Sequence, residues 1–291
     1  VNMIQSRTPT PFTQKLRKNG TISFFILPCL LTLLALVLYP FCYGIYISFF
    51  KTNLVNKWNF VGLENYIKLL KSSSFQDSFL HTAHFTVVYI LGANVLGLAL
   101  ALMIWKSSRF NNVIRTLLFM PFTVSLVAAT KVWSYVYTDV LMPLTGMPSP
   151  LGISSQVIYG LAAIAIWRDM GYCMLIYIAA LQSIPGEYYE AARVEGANFW
   201  HEFRSITLPM IVPAITANVT LVLSWGLRCF DYSQMVLNMK AAKTTAVFVY
   251  EYIFGNSRAG LGQAGAIILT LVLVVLSNIV TTVLRKREVE V

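Results

Sequence analysis

Apolar residues along this chain gather into runs too long for a soluble core. No formal charge interrupts the 32 residues between Lys18 and Lys51, the 28 between Asp77 and Lys106, the 23 between Arg204 and Arg228, or the 26 between Arg258 and Arg285. A bilayer-spanning helix needs about 20 consecutive, mostly apolar residues, so each run is long enough. Two further segments reach that length with charges inside them: Val113–Tyr137, which holds Lys131, and Val157–Ile184, which holds Arg168 and Asp169. The pattern predicts an all-α polytopic membrane protein with six transmembrane helices, at about 22–49, 79–105, 113–137, 157–183, 209–233 and 263–284. Barrel strands would be about 9–11 residues long with strict alternation, which the chain lacks.

Composition agrees. The chain has 291 residues, 57% of them hydrophobic and 12% charged, against about 25% charged in an average soluble domain. That hydrophobicity excludes a disordered chain, and four cysteines exclude a disulfide scaffold. Cys29, Cys42, Cys173 and Cys229 all fall inside predicted spans and read as small packing residues. His81 and His84 have no third ligand type nearby in sequence, so no metal site is expected.

The net charge of +10 raises the question of where the charges lie. Six spans put both termini on one side of the membrane. That side carries Arg7, Lys15, Arg17, Lys18, Lys106, Arg109, Arg115, Arg193, Arg204, Arg285, Lys286 and Arg287, and the other carries Lys51, Lys57, Lys68, Lys71, Lys240, Lys243 and Arg258. The side richer in basic residues is the cytoplasmic one. The resulting layout is a cytoplasmic N-terminal segment 1–21, a transmembrane domain 22–284 and a cytoplasmic C-terminal tail 285–291. The first apolar run is about twice the length of a signal-peptide core and no Ala-x-Ala site follows, so it reads as a retained helix. The basic residues sit in short flanks rather than in one aromatic-laced stripe, which argues against a nucleic-acid partner and for membrane lipid.

The loops leave little room for soluble chemistry. No Gly-x-x-x-x-Gly-Lys-Ser/Thr, Gly-x-Ser-x-Gly or His-Glu-x-x-His occurs, so no ATP hydrolysis, enzymatic activity or bound cofactor is expected of this chain. The informative loop is 184–208, between the fourth and fifth spans. Pro185 and Gly186 break the preceding helix, and a short helix then runs from Glu187 to Glu195 with acids early and Arg193 late. Gly196 ends it, a second short helix covers about Asn198 to Ile206, and Pro209 opens the fifth span. A helix lying on lipid favours Lys and Arg, whereas this loop has Glu187, Glu190, Glu195 and Glu202 against two arginines. Its acidity favours a protein partner, with Ala191 and Ala192 leaving a flat face for close approach.

At this loop the chain resembles a known family. Glu190-Ala191-Ala192, then Gly196, then Ile206-x-Leu208-Pro209 look like the EAA motif of binding-protein-dependent ABC importer permeases. Tyr39-Pro40, Phe60-Val61-Gly62-Leu63-Glu64-Asn65-Tyr66, Arg115 through Ser125 with Met120-Pro121, Trp167-Arg168-x-x-Gly171 and Phe230-Asp231 narrow the resemblance to carbohydrate-type permeases, similar to the larger permease subunit of the maltose transporter. It covers nearly the whole chain and implies a type I importer permease fold in a bacterial cytoplasmic membrane. It also implies a coupling helix in the 184–208 loop, a second permease subunit as heterodimer partner, two ATPase subunits holding ATP and Mg, and an extracellular solute-binding protein. Two departures stand out. Leu237-Asn238-Met239-Lys240-Ala241 replaces the family's Thr-x-Gly-Gly-Pro stretch, and the loop at 51–78 lacks the large insertion of the maltose permease. The alternative class is a stand-alone secondary transporter for a small polar solute; such proteins often carry inverted repeats, and none is visible here.

Charges inside spans cost roughly 2.5–3.5 kcal/mol each on insertion scales and are functional candidates. They are Lys131, the pair Arg168–Asp169 and the pair Arg228–Asp231, the last three apart on a helix and able to pair locally. Sugars are bound by hydrogen-bonding groups beside aromatic faces. In the fifth span Thr220, Ser224 and Arg228 share a face with Trp225 beside it, and the resemblance makes that helix part of a sugar pocket; Trp167 and Trp133 are weaker candidates. An unpaired Arg228 on the path would predict an acidic sugar such as a uronate.

Overall fold

The computed structural model describes residues 26–53, 55, 58–236 and 240–286. The segment 1–21 with Arg7, Lys15, Arg17 and Lys18, residue Lys57, the stretch Leu237–Met239 and the tail beyond Lys286 lie outside the described residues.

In hydrocarbon a backbone must satisfy its own hydrogen bonds, and the apolar runs accordingly form helices. In chain order these are α1 (Ile26–Ser48), α2 (Glu64–Lys71), α3 (Ser73–Ile104), α4 (Arg109–Phe119, carried to Thr123 by a 3₁₀ turn), α5 (Leu126–Thr145) and α6 (Val157–Ser183). Next come α7 (Gly186–Val194), α8 (Phe199–Met210), α9 (Val212–Leu227), α10 (Asp231–Gln234), α11 (Thr245–Tyr250) and α12 (Ala259–Arg285). A short antiparallel hairpin, β1 (Phe50–Thr52) and β2 (Trp58–Phe60), follows α1 with Phe50 opposite Phe60.

Among the described residues four helices are single membrane-length elements: α1, α3, α6 and α12. The other two predicted spans are broken. α4 and α5 meet at about 100° across residues 123–126, and α8 meets α9–α10 at 63° around Ile211. The sequence reading of the third span as one helix is therefore corrected, whereas the bend at Ile211 falls just after Pro209, where the fifth span is expected to open. Pro121 lies in the first break, and Pro209 and Pro213 flank the second; a proline removes one main-chain donor and its ring crowds the carbonyl four residues back. The same crowding explains three locally widened π-helical stretches, Leu34–Leu38, Val136–Leu141 and Phe203–Thr207, each of which ends two residues before Pro40, Pro143 or Pro209. At 32 residues α3 is about 48 Å long, and it begins well before the predicted residue 79.

α6 is the central helix, packing along α3 and against α4 and α5. Small residues let α3 and α6 approach: a Cβ on Gly97 would lie 2.8 Å from that of Cys173, and Ala93, Ala101, Ala162 and Ala165 are buried between them. α9 closes one side of this pair, and α12 packs on α9 and α1.

Two motifs quoted above prove to be staples. Asn65 donates from Nδ2 to the carbonyls of Ser48 (2.8 Å) and Phe50 (3.0 Å), and the Tyr66 hydroxyl meets Ser48 Oγ at 2.7 Å. They tie α2 to the end of α1. Arg115 donates to the carbonyls of Ile104, Trp105 and Lys106, capping the end of α3 from α4. Gly171 of α6 is the tightest approach to α4, where a Cβ would lie 2.0 Å from the Leu118 carbonyl oxygen. We expect Gly171→Ala to cost about 1–3 kcal/mol by forcing the two helices apart. A lowered thermal unfolding midpoint in detergent would register this, while Gly152→Ala, with nothing within 4 Å of the new Cβ, should leave the midpoint unchanged.

Candidate functional site

The break between α4 and α5 borders a cavity of about 440 Å³. Its lining comes from four elements: Phe85 and Tyr89 of α3, Phe122 and Leu126 at the break, Arg168 and Asp169 of α6, and Trp225 with the stretch Arg228–Tyr232 at the end of α9. One wall is aromatic. Phe122 stacks on Tyr172 with ring centroids 4.7 Å apart, and Trp225 meets Tyr172 edge-on at 5.4 Å. Phe85 contacts both Tyr89 and Tyr232.

The two arginines here have different surroundings. Arg168 is engaged through all three nitrogens: Nε donates to the Val124 carbonyl (3.0 Å), Nη2 to the Phe122 carbonyl (3.0 Å) and Nη1 to Asp169 Oδ1 (2.5 Å). Its guanidinium also lies 5.0 Å from the Phe122 ring centroid. The Tyr89 hydroxyl donates to the other Asp169 oxygen. Arg228 is exposed to the cavity and makes one bond, from Nε to the Ser224 carbonyl (3.1 Å). Local pairing of Arg228 with Asp231 does not occur, correcting the expectation of one helical face. α9 ends at Leu227 and Asp231 starts a separate turn, so three-residue spacing no longer aligns the two side chains. Both still border the cavity, leaving two cations and two carboxylates on its lining.

Of the residues singled out from sequence, Trp225, Arg228 and the in-span charges Arg168, Asp169 and Asp231 border this cavity. Thr220 instead meets Thr281 of α12 at 3.3 Å, Ser224 contributes its carbonyl to Arg228, and Trp167 packs edge-on against Trp133. Asn218 is buried and donates to the Cys173 carbonyl. Lys131 is exposed on α5, over the Tyr135 ring. Sequence reasoning did not single out Phe85, Tyr89 or Phe122 as lining groups. Met120-Pro121 held a usable signal, because a proline inside a span marks a break, and irregular backbone at membrane depth survives only where it lines a cavity or is buried in protein.

The 184–208 loop lies at the far end of α6. α7 covers Gly186–Val194, Gly196 takes the left-handed φ of +82°, and the Ala197 N–H returns to the Ala192 carbonyl at 2.9 Å. Asn198 caps α8 by accepting from the His201 N–H (2.9 Å). Two side-chain links fasten α7 onto α8: Arg193 Nε to Glu202 Oε1 at 2.7 Å, and the Tyr189 hydroxyl to Thr207 Oγ1 at 3.0 Å. The Glu202 carboxylate holds the Arg193 guanidinium above its ordinary pKa. Glu190 and Ala191 are exposed, and Ala192 borders a hollow of about 230 Å³ with Glu195, Gly196, Ala197, Asn198 and His201. Beside it Val194 (90% exposed), Phe199 (72%) and Trp200 (63%) stand out from the loop. Ile206, Leu208 and Pro209 are half-buried where α8 rejoins the bundle. Replacing the cap, Asn198→Ala, should cost about 1 kcal/mol locally, visible as faster amide exchange over residues 199–204 with the global unfolding midpoint little changed.

A family model described as the inner membrane component of binding-protein-dependent transport systems matches residues 93–289. A probable starch degradation products transport system permease of Thermoanaerobacterium thermosulfurigenes is 33% identical, the alignment covering 95% of this chain and 98% of that one. The trehalose/maltose transport system permease MalF of Thermococcus litoralis is 28% identical over 88% of this chain and 90% of its own length. A crystal structure of a bacterial alginate ABC transporter in complex with an alginate pentasaccharide-bound periplasmic protein superposes with a TM-score of 0.81 at 20% identity, covering 94% of this chain and 96% of that one.

Proposed function

Because the chain belongs to the family of binding-protein-dependent transport system inner membrane components, we propose that it is a permease subunit passing a saccharide through the central cavity, driven by ATPase subunits docked on the 184–208 loop. The observation that carries this reading is the loop itself. It combines a hollow with protruding apolar side chains and an acidic rim, at the tip of a helix pair fastened to the fifth span. Exposed apolar patches of this kind fit a protein partner.

The proposed assembly contains a second permease as heterodimer partner, two ATPases holding ATP and Mg, and an extracellular binding protein. Both termini and the loop lie in the cytoplasm, following the excess of basic residues on that side. The permease domain is 22–284, and the flanking segments 1–21 and 285–291 stay cytoplasmic. ATP binding closes the ATPase pair and draws the loops together. Since α7 is linked to α8, and α8 continues into α9, the motion reaches Trp225 and Arg228 through one chain segment. Each nucleotide state then favours one orientation of the cavity. A stand-alone secondary transporter gives this loop no part.

A saccharide matches the cavity chemically. Phe122 and Trp225 offer flat faces for sugar CH groups, Arg228 offers free donors and Asp231 a free acceptor for hydroxyls. Two arginines face two aspartates there, so no net charge calls for an anion, and a neutral saccharide is preferred over a uronate. The similarity to permeases whose names specify starch products and trehalose or maltose supports the same class.

Two tests follow. In the reconstituted complex, Glu190→Lys and Gly196→Asp should leave membrane insertion intact while separating ATP hydrolysis from uptake; normal uptake by both variants would reject the coupling role. Uptake of maltotriose, trehalose and glucuronate should favour a neutral sugar, and Arg228→Ala should weaken it by about tenfold, one charge-assisted contact's worth. Glucuronate as the sole transported probe would reject the neutral assignment.

A further inference from the structure

We infer that Arg168 is a positioning residue, not a solute ligand: it sets the bend of the third span and so holds the Phe122 ring on the cavity wall. The proposal rests on reading the cavity as the solute path.

A helix that breaks inside a bilayer exposes carbonyls no longer engaged by their own helix. At this break the carbonyls of Phe122 and Val124 receive two donors from one guanidinium, 3.0 Å each. These residues lie on either side of Thr123, where the 100° turn begins. The planar fork fixes both carbonyls in one geometry, which an ammonium acting as a point charge cannot do. The remaining edge of Arg168 goes to Asp169, whose second oxygen takes the Tyr89 hydroxyl of α3. The brace thus spans three elements: the α4–α5 break, α6 and α3. The cation lies 5.0 Å from the Phe122 ring centroid, holding the side chain as well as its backbone. Gly171, one turn further along α6, allows α4 to come close enough for these bonds to form. With its Nε, Nη1 and Nη2 groups all engaged, Arg168 presents little to a solute. Arg228, with a single bond from Nε, keeps donors available to the cavity.

The test uses the assembled complex in nanodiscs, with nitroxides at Val113 of α4 and Val132 of α5, both exposed and outside the cavity. Pulsed electron resonance should give one narrow separation in the parent protein. Arg168→Lys keeps the charge and should broaden or shift that separation. Asp169→Asn keeps both carbonyl bonds and should leave it narrow. An unchanged distribution in Arg168→Lys overturns the proposal, and so does a broadened one in Asp169→Asn, since the ion pair would then hold the bend. If Arg168→Lys fails to accumulate, the Asp169→Asn arm still decides. Uptake of maltotriose supplies a second readout. A positioning role raises the half-saturating concentration in Arg168→Lys by about tenfold with a smaller change in maximal rate, whereas a fall in maximal rate alone overturns the link to the cavity. Absence of maltotriose uptake by the parent complex would count against the solute reading, while the measured separations would still judge the brace.

Discussion

Backbone carbonyls at a break within the membrane need donors, and lipid supplies none. Leaving such a group unsatisfied costs several kcal/mol, comparable to the roughly 2.5–3.5 kcal/mol for inserting a charge at a helix centre. Arg168 addresses both problems together. Its hydrogen bonds to the Phe122 and Val124 carbonyls, and to Asp169, are charge-assisted, each worth roughly 1.5–3 kcal/mol. Together they offset the cost of placing the guanidinium there. The cavity, its aromatic wall and the course of the third span all depend on that arrangement. Removing Arg168 would strand Asp169, which is 2% exposed, and an uncompensated buried charge is costly.

Much of the architecture was legible from apolar run length, because bilayer thickness imposes one length scale on every spanning helix. The 184–208 loop was legible for a different reason. Its signals are local: Pro185 and Gly186 end one helix, Gly196 needs the left-handed conformation it adopts, and Asn198 caps the next helix. Pro209 is legible as the opening of the fifth span, but the break in the third is not read from apolar run length, although Pro121 marks it. A hydrophobic window averages over a bend and cannot detect it. The Arg228–Asp231 spacing misled for the same reason, since three-residue spacing brings side chains together only on a continuous helix, and α9 ends between them. Tyr89 and Asp169 are 80 residues apart, and no periodicity within either helix predicts their hydrogen bond.

Motifs that mark a family need not touch its solute. Asn65 and Tyr66 pin α2 to the end of α1, Arg115 caps α3, and Gly171 makes room for α4. Each satisfies a backbone or packing demand shared by any chain with this layout, whatever it carries. The basic residues divide along the same line. Arg115 was counted among the charges that set orientation, yet its guanidinium also closes a helix end. Arg168 counted as a charge within a span, yet it serves the backbone.

The division bears on how one scaffold can accommodate different solutes. Residues that hold the cavity open engage their polar groups with the protein itself, so changing them alters shape before it alters recognition. Residues with uncommitted groups, Arg228 and Asp231, sit where α9 has already ended and the chain is no longer bound by helical periodicity. Substitution there changes the donors and acceptors offered to a solute without removing a brace. The following segment is independently anchored: Thr244 donates to the Cys229 carbonyl at 2.6 Å and its N–H to Ser233 Oγ at 3.1 Å. That anchoring lets the 228–231 corner differ in chemistry while α9 and α11 keep their places. Selectivity is therefore expected to vary at this corner, and the brace around Arg168 to constrain which variations still leave an aromatic wall opposite it.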